Sequence, residues 1–339
     1  MAAVIVLGLA GYGTFPYAKD WWLSREVCGG ALPDDAVDAL SPDSGEHHLA
    51  ESDEKRVGAL GSYRCELSYD RGEDAPPASV FSVTADTRRD PQDASLWGTF
   101  EDEGWSAVSP LPDGMPGFID DSGAVQLMAK CPELGKDDDG RPRRILVRTA
   151  AGWDADRKAP DALVGVAVAA ANRASEQLGC GAKPFKKTGK VRSTDPEPVA
   201  LEPSKAAGTV CAAFAEADLP AGTKLRPRSN SSAPVARCEL VKGGDRAPKA
   251  VFGAWYGDWS KRLIHEDTHG HPRRPDTATA RCDGETAVFD GWAEDDFGLT
   301  DRQVRALIAD FSSAETTHRK CTSLTRPTPP AVKSSPSGV

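Results

Sequence analysis

The chain lacks the short signatures of several common enzyme classes. Its 339 residues contain no G-x-S-x-G motif, no P-loop and no Rossmann glycine fingerprint. These motifs mark serine hydrolases, phosphate-loop NTPases and dinucleotide-binding enzymes, respectively. A C-x-x-C pair, the short spacing that zinc sites favour, is absent as well. The sequence therefore predicts a non-enzymatic protein with no catalytic residues, no cofactor and no resident metal.

The charge balance argues against binding to nucleic acids. The formal net charge is −10, and contacts with a phosphate backbone require clustered cations. One basic run is present, but acidic residues follow it at once, and we interpret it as a solvated linker. Its members are Lys183, Lys186, Lys187, Lys190 and Arg192.

The N-terminal segment carries no charged side chain before Lys19. This uncharged run, residues 1–18, is just long enough for a bilayer span, which takes about 17–25 apolar residues as a helix. It has neither the basic start nor the small-residue cleavage site of a secretory signal peptide. We therefore expect residues 1–18 to form a single transmembrane anchor. The alternative is a cleaved signal segment and a secreted protein.

Eight cysteines occur in two sets of four. An even number of widely spaced cysteines behind a membrane or secretion signal predicts disulfides in an oxidising compartment. Four cysteines allow three pairings in each set, and we favour first with second and third with fourth. The disulfides predicted in this way are Cys28–Cys65, Cys131–Cys180, Cys211–Cys238 and Cys282–Cys321.

The surroundings of the two cysteine sets match in order, which indicates a duplicated domain. Both sets begin with Val-Cys and continue with Arg-Cys-Glu-Leu, Val-Phe, a basic residue before the third cysteine, Gly-Trp, and a helix that ends at the fourth. The matches are Val27-Cys28 with Val210-Cys211, Arg64–Leu67 with Arg237–Leu240, Val80-Phe81 with Val251-Phe252, Ala129–Cys131 with Ala280–Cys282, Gly152-Trp153 with Gly291-Trp292, and Cys180 with Cys321.

Each repeat is expected to have an α+β fold, in which helices flank an antiparallel sheet. A long helix is predicted from Asp161 in the first repeat and after a Thr300-Asp301 cap in the second. Strands are predicted near residues 62–69, 79–85, 124–130 and 144–149, and near residues 236–241, 250–256, 278–282 and 286–289. The predicted segments are a first domain (25–181), a proline-containing linker (182–205), a second domain (206–321) and a disordered tail (322–339).

One segment fits a zinc-protease signature. Residues 265–269, HEDTH, match H-E-x-x-H, in which one helix turn brings two histidines to a metal and a glutamate to its bound water. The two middle residues are poor helix formers, and a glycine and a proline follow closely. We therefore expect no metal site here. The metal-ligand candidates of an enzymatic alternative are His265, His269 and His271.

The order of the leader and the repeated cysteine motifs resembles that of envelope proteins from actinobacteria, the single-pass or secreted proteins of the Streptomyces type. The helix–sheet–helix unit with paired cysteines is also similar to the PsbP-like domains of mycobacterial lipoproteins. This chain departs from those lipoproteins because it lacks the cysteine that carries the lipid. The resemblance implies an extracytoplasmic location and carries over no functional residues.

These features together predict a non-enzymatic, membrane-anchored extracytoplasmic protein. Its two domains would bind a protein or another component of the cell envelope, and the N-terminal helix would bind the membrane. Duplicated domains on a tether raise the effective concentration of binding sites at a surface. The alternatives are a zinc-dependent hydrolase that uses the HEDTH segment and a purely structural spacer.

Overall fold

The chain forms two compact units in the computed structural model, and they change over between residues 196 and 197. Both units combine helices with an antiparallel sheet, so the predicted α+β class is confirmed. The structure describes residues 17–41, 48–72, 75–99, 109–111, 115–120, 122–138, 140–152, 155–186, 190–191, 199–228, 234–243, 247–257, 260 and 277–327.

An antiparallel sheet of seven strands forms the centre of the first unit. The strands are β1 (Leu49–Val57), β2 (Ser62–Tyr69), β3 (Ala78–Asp86), β4 (Ser109–Pro110), β5 (Gly117–Ile119), β6 (Val125–Lys130) and β7 (Arg144–Ala151). Their order in the sheet is β1-β2-β3-β7-β6-β5-β4. The four strands predicted from the sequence are β2, β3, β6 and β7, and each lies within two residues of its expected bounds.

Helices pack on this sheet and complete the core of the first unit. Those described are α1 (residues 17–30), α2 (Ala36–Leu40), α3 (Arg89–Thr99), α4 (Ala155–Lys158) and α5 (Pro160–Gln177). A proline begins α5, where the first turn needs no backbone N–H donor. Small and branched side chains then recur every three or four positions and form its buried face. They include Leu163, Val164, Ala167, Ala171 and Ala174.

The second unit has an antiparallel sheet of six strands. They are β8 (Thr223–Arg228), β9 (Val235–Lys242), β10 (Ala250–Tyr256), β11 (Ala278–Cys282), β12 (Glu285–Ala293) and β13 (Thr322–Thr325). Their order is β13-β11-β12-β10-β9-β8. Nearly every residue of β9 and β10 is buried, so both faces of these central strands are covered.

Helix α6 (Asp301–His318) closes the core of the second unit, and it begins where the sequence predicts. Its cap is reciprocal: Gln303 N–H donates to the hydroxyl of Thr300, and Thr300 N–H donates to the side chain of Gln303. The last apolar residue on the buried side of α6 is Phe311, whose ring lies 5.9 Å from that of Phe214. Phe214 in turn lies 4.7 Å from Phe252 of β10.

All four predicted disulfides are confirmed. In each unit, one disulfide joins a segment before the sheet to its second strand: Cys28–Cys65 and Cys211–Cys238. The other joins the end of a strand to the residues that follow the last helix: Cys131–Cys180 and Cys282–Cys321. Disulfides of this kind typically stabilise a fold by about 2–4 kcal/mol each. They are also typical of proteins in an oxidising, extracytoplasmic environment.

The strand order is consistent with two tandem domains of the same topology. Strands β1-β2-β3-β7-β6 of the first unit correspond to β8-β9-β10-β12-β11 of the second, in the same antiparallel arrangement. The disulfides lie at equivalent places in both. The units differ at the edge beyond β6 and β11, where the first adds β5 and β4 and the second adds β13.

The strand registers correct two of the sequence matches. The residue opposite Cys65 is Val83, and the residue opposite Cys238 is Phe252. Phe252 is therefore the counterpart of Val83 and not of Phe81, with which the sequence alone matches it. A shift of two residues keeps every side chain on its own face of the sheet, so the apolar pattern does not reveal it.

The Gly-Trp match is wrong as well. Gly291 lies opposite Phe252, whereas Thr149 lies opposite Val83. The counterpart of Gly291 is therefore Thr149, three residues before Gly152. The β6–β7 and β11–β12 ladders, counted from the matched third cysteines, give the same correspondence. The tryptophan of the first Gly-Trp pair lies outside the described residues.

The predicted disordered tail, residues 322–339, is wrong in its first part. Residues Thr322–Thr325 form β13, which pairs with β11. The disulfide to Cys282 holds the chain beside β11, whose edge offers backbone groups for one more strand. The prediction is therefore wrong for these four residues, and residues 328–339 lie outside the described part of the chain.

The predicted linker, residues 182–205, also needs correction. Phe185 and Val191 are buried in the core of the first unit. Leu201 pairs with Leu225 of β8 in the second unit. Single apolar residues among prolines and lysines give no periodic signal, and for this reason the sequence shows only a linker.

No helix in the described part of the chain is long and apolar enough to cross a bilayer. Residues 1–16, which make up most of the predicted anchor, lie outside that part. The transmembrane anchor therefore stays a prediction.

Candidate functional site

A groove of about 670 Å³ lies in the first unit, beside the end of β6. Its walls come from residues 115–116, residues 128–130, Pro132, Arg144 and residues 183–186. Sites for small ligands typically measure about 300–1,000 Å³. The groove therefore has the volume of a ligand site.

One wall of the groove is the strap, which we define as residues 181–186. The Cys131–Cys180 disulfide holds the start of the strap beside the end of β6. The backbone N–H of Glu133 also donates a hydrogen bond to the carbonyl of Cys180, with an N–O distance of 3.3 Å. The strap is thus fixed to the sheet at its first residue.

Asn172 of α5 fixes the other end of the strap. Its side-chain oxygen accepts a hydrogen bond from the backbone N–H of Phe185 at 2.8 Å. Its side-chain nitrogen donates to the carbonyl of Phe185 at 3.1 Å. One amide therefore satisfies both backbone groups of Phe185, whose ring is buried in the core. With the disulfide at its start, the strap is held at two points.

Apolar side chains form the floor of the groove. Met115, Met128 and Phe185 line it and are largely buried. The backbone N–H of Met128 donates to the carbonyl of Pro116 at 2.9 Å, which holds the segment before β5 against β6. Methionine side chains are flexible and polarisable, so such a floor adapts to ligands of different shape.

Basic side chains form the rim of the groove. Lys130 and Arg144 stand directly opposite each other in the β6–β7 ladder. Lys183 and Lys186 lie on the strap and are exposed. None of the lining residues that the structure describes is acidic. A set of four basic side chains at one groove favours an anionic ligand.

The rim contains two lysines that the sequence places in a linker. Lys183 and Lys186 belong to the basic run that we interpret from the sequence as a solvated linker. The structure brings them to Lys130 and Arg144, more than 35 residues earlier in the chain. The position of the run directly after Cys180, a cysteine of a predicted disulfide, is the signal that could have placed it beside β6.

The metal-ligand candidates His265, His269 and His271 lie outside the described residues. Within the described ranges, no group of three or more His, Cys, Asp or Glu side chains could hold a metal ion. All eight cysteines are in disulfides.

The second unit contains a buried cluster of charges around Glu239 of β9. Arg228 and Arg237 place their Nε atoms 2.9 and 3.1 Å from Oε1 of Glu239, and Arg226 lies 3.9 Å from Oε2. Arg237 and Glu239 belong to the repeated Arg-Cys-Glu-Leu motif. In this unit the motif therefore supplies an ion pair within the sheet as well as a disulfide.

A second buried cluster links β10 to α6. The hydroxyl of Tyr256 donates to Glu315 at 2.5 Å, and the guanidinium of Arg319 lies 3.6 Å from the centre of the Tyr256 ring. Burial, and then the charge of Glu315, raise the pKa of Tyr256 well above its usual value. This tyrosine therefore stays protonated at neutral pH and acts as a structural hydrogen-bond donor.

Comparison with known protein families, curated proteins and solved structures finds no match to this chain.

Proposed function

We propose that this protein is a non-enzymatic, extracytoplasmic binding protein that is anchored in the membrane by its N-terminal segment. Its first unit binds an anionic ligand with an apolar part, a component of the cell envelope, in the groove beside β6. The observation that carries the proposal is the combination of an apolar floor with a rim of four basic side chains.

The construction of the groove supports a binding role. Its strap is tied down by a disulfide and by two hydrogen bonds from one asparagine. A wall that is ordered before the ligand arrives loses little conformational entropy on binding. The apolar floor would take a hydrocarbon portion, and the rim would take a phosphate or carboxylate group.

The proposed location rests on two features. The four disulfides are typical of an oxidising, extracytoplasmic environment. The uncharged run at residues 1–18 has the length of one bilayer span. A secreted protein with a cleaved leader is the alternative, and the groove would act in the same way in that protein.

Calorimetric titration of the full chain with dodecyl phosphate, below its micelle concentration, tests the binding proposal. The matched probes are dodecyl phosphocholine and dodecyl trimethylammonium, which keep the hydrocarbon chain and change the charge of the head group. We expect the phosphate to bind most tightly and the trimethylammonium most weakly. Added salt should weaken the binding of the phosphate, because ions screen exposed charges.

The variant Lys183→Gln/Lys186→Gln tests whether the lysines of the strap cause the preference for the phosphate head group. An exposed ion pair contributes about 0.2–1 kcal/mol, so the loss of two should weaken dodecyl phosphate binding by up to about thirty-fold. The control, Lys55→Gln/Lys205→Gln, removes two exposed lysines that do not line the groove. Equal affinity for the three probes, or equal effects of the two double variants, would contradict the proposal.

A further inference from the structure

Helix α1 presents large aromatic side chains to solvent. Tyr17, Trp21 and Trp22 are 69%, 59% and 55% exposed. They are three of the five large hydrophobic residues that are exposed in the described part of the chain, and the other two, Leu60 and Val199, lie far from them in sequence. The aromatic side chains are therefore concentrated on one short helix.

The exposure does not come from a loose helix, because the opposite side of α1 is firmly attached. Leu23 and Val27 are buried in the core of the first unit, and Cys28 is bound to Cys65. Asp20 accepts hydrogen bonds from His48 and from the backbone N–H of Leu49, each at 2.7 Å. The helix is thus fixed to the unit along one side, and each of its three aromatic side chains is more than half exposed, with the Tyr17 ring in edge contact with His48.

The aromatic residues follow directly after the uncharged leader. Trp21 and Trp22 come three and four residues after Ala18, where the uncharged run ends. At 1.5 Å per helical residue, this is about 5–6 Å along the axis of α1. The interfacial layer on each side of a bilayer is also about 5–7 Å thick. A leader that spans the hydrocarbon core would therefore place both tryptophans in the head-group region.

Two basic side chains close to the tryptophans fit the head-group region of a bilayer. The guanidinium of Arg25 lies 4.6 Å from the centre of the Trp21 ring. Lys19 lies on the same helix between the leader and Trp21. Tryptophan and tyrosine are enriched at the membrane–water interface, and lysine and arginine near helix ends reach the lipid phosphates. If the aromatic side of α1 bound a protein instead, its position directly after a segment long enough to span a membrane would have no explanation.

We propose that the side of α1 that carries Tyr17, Trp21 and Trp22 binds the lipid surface. This inference rests on the membrane anchor of the proposed function and adds a contact between the folded first unit and the lipid. Through Cys28–Cys65 and the buried side of α1, that contact fixes the orientation of the first unit relative to the membrane.

Tryptophan quenching in vesicles tests the inference. The full chain is reconstituted into vesicles of phosphatidylcholine and phosphatidylglycerol, some of which contain lipid that is brominated close to the head group. Bromine quenches only the tryptophans that it can reach. We expect part of the emission to be quenched, and we expect Trp21→Phe/Trp22→Phe to lose that part. The control Trp292→Phe, in β12, should keep it.

The outcomes separate the inference from the proposal on which it rests. A chain that floats with the vesicles but shows no quenching, or equal quenching in the double variant, overturns the inference and leaves the anchor standing. A chain that does not float with the vesicles overturns both. Dodecyl phosphate titration of Trp21→Phe/Trp22→Phe should give the wild-type affinity, since the groove does not include α1.

Discussion

The substitution Asn172→Ala removes the attachment between α5 and the strap. It deletes the hydrogen bonds to the N–H and to the carbonyl of Phe185, at 2.8 and 3.1 Å. A hydrogen bond contributes about 0.5–1.5 kcal/mol net, and a buried group left unpaired costs about 1–3 kcal/mol. We expect the free energy of unfolding of the first unit to fall by about 2–4 kcal/mol. Alanine forms helices better than asparagine, by up to about 0.7 kcal/mol, which offsets a small part of this loss.

Urea unfolding and amide hydrogen exchange measure this effect. The matched control is Glu176→Ala, one turn later on the same helix, where the side chain is exposed. Faster exchange at the amide of Phe185 should accompany the loss of stability in Asn172→Ala. Binding of dodecyl phosphate should also weaken, because Lys183 and Lys186 lose their fixed positions. If Asn172→Ala were as stable as Glu176→Ala and its Phe185 amide stayed protected, the two-point attachment of the strap would be refuted.

Two further predictions concern stability. Thr300→Ala removes the hydroxyl that accepts from the backbone N–H of Gln303 and donates to the Gln303 side chain, and chemical denaturation should show a loss of about 1 kcal/mol; an unchanged midpoint would contradict it. Burial raises the pKa of Asp86, and Arg64 opposes that effect. The folded state therefore keeps this proton to higher pH, so stability falls as pH rises through the raised pKa. Asp86→Asn should raise the unfolding temperature at neutral pH but not below about pH 3.9, the ordinary pKa of aspartate; an equal change at both pH values would contradict this.

The sequence predicts the central strands except β5 and misses the edge strands, and the edge strands are missed for a physical reason. Central strands such as β3 and β10 are apolar over much of their length because the core covers them. The edge strand β1 exposes most of its side chains and consists largely of charged residues. In the second unit, the edge strand β8 includes Pro227, which weakens a strand prediction. Edge strands of this kind resist association with other chains, and the same features remove the apolar alternation that prediction needs.

The repeat is visible in the sequence because the cysteines and the Arg-Cys-Glu-Leu motif mark it. The cysteine pairing follows the same duplication, since the same two links occur in each unit. The Val-Phe and Gly-Trp pairs are not fixed by a covalent bond. Their sequence matches differ from the structural correspondence by two and three residues, respectively. Paired registers, and not residue types, are needed to align such positions.

The groove could not be predicted from the sequence, because its walls come from separate segments. The Cys131–Cys180 disulfide brings the strap to β6, and Asn172 then orients it. Lysines among prolines look the same in a solvated linker and in such a strap. The strap differs from a solvated linker because Phe185 is attached to Asn172, and the sequence does not show this contact.

Amide hydrogen exchange of the full chain, with and without dodecyl phosphate, tests the central claim most directly. If the groove is the binding site, the ligand should protect the strap, residues 181–186, and the end of β6, and should leave exchange in the second unit unchanged. Protection confined to the second unit, or no protection at the strap under saturating ligand, would contradict the account.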